Sequence, residues 1–141
     1  MPRNILAAVA GILAAVVTVF IVQFIGHQVF PPPEGMDPND TAAIAEYVAN
    51  APMVALLFPI ISYFIGTLDG VIVAALIGTA RTIVFGLIVA GFVLVAAISV
   101  IVTIPHPAWY VAAAFVSIII AGGLGIAIGN TLQAKRSAEP A

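Results

Sequence analysis

Residues 62–86 read SYFIGTLDGVIVAALIGTARTIVFG. Two apolar runs meet there at GTAR, residues 78–81. A helix that crosses a bilayer needs about 20 apolar residues, and the runs on either side of GTAR extend far enough to supply them. A connection this short forces antiparallel neighbours, so the stretch reads as a transmembrane helical hairpin. On the first arm Ser62, Gly66, Gly70, Ala74 and Gly78 recur every four residues. That spacing stacks them on one helix face, where small side chains let another backbone come close.

Working outward, four spans are expected, at about 5–29, 53–77, 82–104 and 107–132, in a single integral membrane domain. An outer loop occupies 30–52, and a disordered tail is expected from about 134 to 141. The composition agrees: 63% of the residues are hydrophobic and 7% are charged, against roughly 25% charged in soluble domains. So few charges cannot cover a water-exposed surface, and the lipid bilayer is the first partner the chain implies. The run from Ile5 to Val29 exceeds the roughly 7–15 apolar residues of a signal peptide and is read as a retained span. Cysteine is absent, which excludes disulfides, thiolate metal sites and cysteine nucleophiles.

The four Lys and Arg residues are Arg3, Arg81, Lys135 and Arg136. With four spans, all of them fall on one side. The positive-inside rule makes that side cytoplasmic, with both termini there. Glu34, Asp37, Asp40 and Glu46 fall in the opposite loop. In that loop PPP at 31–33 is stiff and extended. Asp40 suits an N-cap for TAAIAEYVAN, and Ile44, Tyr47 and Val48 share a face. A short amphipathic helix on the outer membrane surface is expected. Trp109 and Tyr110 are assigned to the outer aromatic belt. The fold class is therefore all-α: a four-transmembrane-helix bundle, N-in and C-in, with one short helix in its first extracytoplasmic loop.

Span one carries a small-residue strip at Ala7, Gly11 and Ala15, and span four another at Ala113, Ser117, Ala121, Gly125 and Gly129. With Gly66 and Gly70 on span two, Gly125 and Gly129 are the expected packing positions. Either the strips close the bundle, or one of them, on span four, docks a second protein or copy. Pro59 lies inside span two and should kink it, with neighbouring helices or Ser62 satisfying the freed carbonyl.

Few residues carry chemistry. Asp69 is the one carboxylate inside a span, at a cost on the order of 3 kcal/mol if charged near the bilayer centre. It is read as a proton or cation relay, as a contact for a partner's Arg or Lys, or as a neutral group bonded to Thr67, Ser99, Thr103 or a backbone carbonyl. His27 and His106 are the only histidines, and topology brings both to the outer rim. They are read as helix-terminal residues, as a proton-sensitive pair, or as ligands of a metal such as Zn or Cu(II), or of haem. No H-x-x-x-H or H-E-x-x-H spacing supports the metal reading. No nucleophile signature points to an enzyme, no cofactor motif is present, and four cations make nucleic acid a poor partner.

GHQVFPPPEGMD after span one and IPHPAWY before span four resemble a group of uncharacterised small four-helix bacterial inner-membrane proteins. These share a Gly-His and Pro-rich outer loop and a Pro-His-Pro-aromatic motif. The resemblance implies four helices, a bacterial cytoplasmic membrane and packing of the two outer motifs on each other; it implies no activity. The expected function is a non-enzymatic accessory or structural subunit of a membrane complex, or a homo-oligomer. The alternative is a small transporter or ion-handling protein using Asp69, with His27 and His106 at its outer mouth.

Overall fold

The computed structural model describes residues 2–138. They form α1 (Pro2–Val29), α2 (Thr41–Asn50), α3 (Met53–Ile77), α4 (Thr82–Thr103) and α5 (Ala108–Ala138), with no strand among the described residues. The helices α1, α3, α4 and α5 are each long and apolar enough to cross a membrane. Their outer faces carry side chains such as Phe20, Leu87, Val102 and Ile119, between 67% and 79% exposed. In water that surface would aggregate; in hydrocarbon it is ordinary.

The centre of the bundle is α3, half of whose most apolar stretch is buried against 17% for α1. The largest interfaces join α3 to α1 and α3 to α5. The sequence neighbours α3 and α4 meet over a smaller area. The short GTAR turn makes α3 and α4 antiparallel neighbours, but the small-residue strips give α3 its larger interfaces.

The strip on α3 is buried against α1. A β-carbon on Gly70 would stand 2.5 Å from the Gly11 carbonyl oxygen, and one on Gly11 would stand 2.5 Å from that of Gly70. Gly66 lies against Val19 and the Ala15 carbonyl. On the other flank Gly125 faces Val71, and Gly129 faces Ala75 and Thr82. Each glycine removes the atom that would hold the backbones apart. Of the strip on α5, Ala121, Gly125 and Gly129 are buried inside the bundle, while Ala113 and Ser117 are half-buried.

At the end where GTAR sits, the last carbonyls of α3 lack helical donors, as at any helix terminus. Both ends of the chain supply them. Arg3 Nε donates to the Ile77 carbonyl at 2.7 Å, and Arg136 donates to Leu76. Gln133 Nε2 donates to Ala75 and Ala80, each at 3.2 Å, while its Oε1 accepts from Thr82 at 3.0 Å. Asn4 Oδ1 accepts from the backbone N–H groups of Thr79 and Ala80 at 2.8 and 3.1 Å. This clasp explains why α5 runs on through Lys135 and Arg136 to Ala138. The disordered tail expected from about 134 is therefore helical as far as 138, and its remainder, 139–141, lies outside the described residues. Helical register is what brings Gln133 and Arg136 to α3.

Pro59 sits within α3 as expected. Ser62 Oγ donates to the Pro59 carbonyl at 2.7 Å, not to that of Ala55, the one whose helical donor proline removes.

Replacing Gly70 by Leu should destabilise the bundle by roughly 1–3 kcal/mol through overpacking. Gly123, with nothing within 4 Å of its would-be β-carbon, should accept Ala without loss. Thermal unfolding in mild detergent separates the two: a lower midpoint is expected for Gly70→Leu, and an unchanged or higher one for Gly123→Ala.

Candidate binding cavity at the proline-rich end

The contact of α1 with α3 persists as far as Gly26, whose would-be β-carbon lies 2.8 Å from Phe58. Phe58 meets Phe30 edge-on, with centroids 6.0 Å apart. There α1 ends, and the three prolines carry the chain outward. Gly35 takes φ +78°, a conformation that suits glycine. Asp40 Oδ1 then accepts from the N–H groups of Ala42 and Ala43 at 3.0 and 3.2 Å, capping α2. The loop thus reverses and lays α2 back over the bundle. Tyr47 donates to the Phe30 carbonyl at 3.4 Å and ties the returning helix to the end of α1. The Ile44, Tyr47 and Val48 face of α2 packs on the core. It covers protein, where the sequence reading had laid it on a membrane surface.

Beneath α2 is a cavity of about 460 Å³, within the roughly 300–1,000 Å³ of small-molecule sites. Gln23 and His27 come to it from α1, Tyr63 from α3, His106 from the link between α4 and α5, and Tyr110 from the first turn of α5. Ala55 and Pro59 line it too, so the proline that costs Ala55 its helical donor borders this space. No Asp, Glu, Lys, Arg, Ser or Thr lines it.

The two histidines, far apart in sequence, therefore reach one cavity. No hydrogen bond joins them among the described residues. His106 Nδ1 donates to the Ile104 carbonyl at 2.6 Å, and its ring stacks on Tyr110 with centroids 4.4 Å apart. That bond fixes the neutral ring with its proton on Nδ1. His27 occupies the last turn of α1, where a cation would complement the helix dipole. Among the described residues no group of three His, Cys, Asp or Glu could hold a metal, so the expected metal reading of His27 and His106 finds no third protein ligand.

The sequence reading passes over Tyr63 and assigns Tyr110 to the aromatic belt. Tyr63 and Tyr110 are 5% and 1% exposed, and both line the cavity. Tyr110 is therefore packed inside the bundle; Trp109, 37% exposed, packs edge-on against it. The available signal was Tyr63 itself, a phenol inside an apolar span that needs a partner when buried.

Asp69 stands apart from the cavity. Its Oδ2 accepts from Thr18 Oγ1 at 2.8 Å, across the interface of α1 and α3. Thr18 was not among the partners expected. Ser99 and Thr103 instead donate to their own helix at Val95 and Ser99, and the buried Thr67 hydroxyl has no partner. Gln23 donates to Ser62 at 3.3 Å, about two turns or 10 Å above Asp69. Between these polar pairs Gly66 is closed against Val19 and Ala15.

Thr18→Val should cost about 1–3 kcal/mol, since it leaves the half-buried carboxyl without its donor. Asp69→Asn keeps an acceptor for Thr18 and should cost less. Unfolding midpoints of the two variants in one detergent check that order. Comparison with protein-family models, curated proteins and solved structures finds no match for this chain.

Proposed function

We propose that this is a small non-enzymatic integral membrane protein that acts as an accessory subunit and holds a small apolar molecule in its outer cavity. The observation that carries the reading is the cavity itself: a space of about 460 Å³ roofed by a dedicated helix and lined by apolar side chains, two histidines and three tyrosines. Its lining offers no serine, threonine or carboxylate as nucleophile or acid–base partner, which favours binding over catalysis. The burial of the glycine strips within the bundle favours a self-contained subunit over a homo-oligomer built on those strips. The Thr18 bond and the tight packing around Gly66 favour a structural role for Asp69 over the relay of a transporter.

The proposed setting is a bacterial cytoplasmic membrane. Arg3, Arg136 and the turn before Arg81 gather at one end through the clasp on α3, and the positive-inside rule assigns that end to the cytoplasm. The acidic loop and α2 then face outward.

Native mass spectrometry of the protein extracted from its source membrane should show a retained small molecule or a partner protein. Ala55→Phe, which fills the cavity, should lose the small molecule. Bare protein from both variants would overturn the reading. Because the chain has no cysteine, single introduced cysteines report topology cleanly. Asn39→Cys should react with an impermeant thiol reagent added outside the cell, and Ser137→Cys only after the membrane is opened.

A further inference from the structure

We infer that the cavity takes an uncharged membrane lipid whose head carries a hydrogen-bond-accepting oxygen, the chemistry shared by a quinone ring and a diacylglycerol ester. This rests on the binding reading above and specifies its ligand. Charge decides first. No Lys or Arg lines the cavity, so a phosphate head would be buried without a counter-charge, which is strongly unfavourable. Glu34, Asp37, Asp40 and Glu46 lie in the loop and helix at its mouth and repel anions further. No carboxylate lines it either, so a cationic head finds no partner.

Hydrogen bonding decides next. Tyr63 and Tyr110 are both buried in the lining, and each phenol carries one hydroxyl donor. The lining around them is largely apolar, and a buried donor there needs an acceptor. A carbonyl oxygen of the lipid head fills that role. Phe58, Val100 and Ile104 of the same wall meet the apolar body. Val100 is 41% exposed and belongs to α4.

Trp109 is the single tryptophan of the chain, and its ring lies 6.1 Å from that of Tyr110, which lines the cavity. Its fluorescence therefore reports occupancy. The full chain, in phosphatidylcholine nanodiscs, is titrated with decylubiquinone, whose ring quenches tryptophan. Saturable quenching is expected, lost in Ala55→Phe and weakened about fivefold in Tyr63→Phe, in line with one hydrogen bond. Circular dichroism and the melting midpoint establish that both variants are folded. Dioleoylglycerol, which does not quench, separates the two sources. Relief of quenching places glycerolipids in the site, and its absence restricts the site to quinones; both outcomes support an uncharged head. Equal relief by dioleoylphosphatidylglycerol overturns the ligand class while leaving the cavity as a binding site. Quenching that is linear and identical in wild type and Ala55→Phe overturns both. Saturable quenching unchanged in Tyr63→Phe overturns the tyrosine seat.

Discussion

The backbones of α1 and α3 meet at Gly11 and Gly70. Each glycine lies so near the other's carbonyl that a β-carbon on either would overlap it. In hydrocarbon, apolar side chains gain nothing by leaving lipid for one another, so helices associate through close packing and polar contacts. The contact of α1 with α3 meets both conditions. Its glycines bring the backbones together, and the bonds of Thr18 with Asp69 and Gln23 with Ser62 then span the narrow gap. The same logic on the opposite face seats Gly125 and Gly129 of α5 on α3. Placing α3 between two such faces makes it the axis of the bundle, and α4 closes against α5 and the remaining edge.

This axis also explains where space is left over. Close packing runs from the clasp at the basic end up to Gly26 and Phe58. Around that level Pro59 interrupts the ladder of α3, α1 nears its end at Val29, and aromatic residues such as Phe58 and Tyr63 replace the small ones. The walls no longer close on one another, and α2 covers the opening. A tight lower half and a hollow upper half follow from the distribution of small residues along the same helices. The polar residues divide along the same axis: Asp69 belongs to the packed part, and Tyr63 and Tyr110 to the hollow one.

Much of the architecture could be read from the sequence because the bilayer enforces it. Length and apolarity located the four spans, with the start and end of span two, Met53 and Ile77, matching α3. Asp40 and the apolar face of TAAIAEYVAN announced α2, since capping is local chemistry. Partner choice was less legible: four-residue spacing identifies a sticky face but not which of three other helices it meets. The site was harder still. His27 and His106 drew attention as rare residues, and they do share a cavity. Gln23 and Tyr63 looked ordinary, because their importance depends on facing a space that only the folded bundle creates. The partner of Asp69 was missed for the same reason, Thr18 being remote in sequence and one of several hydroxyls at plausible depth.

The clasp on the end of α3 has a temporal side. Its donors come from the first residues of the chain and from almost the last, Gln133 and Arg136. A growing polypeptide can insert its first helices early, yet the carbonyls of Ala75 and Leu76 must be served by interfacial water until residue 136 has emerged from the ribosome. The order of synthesis thus makes α5 the bolt on the end of α3. A nascent chain halted before that point leaves a hairpin whose polar end is still unlatched.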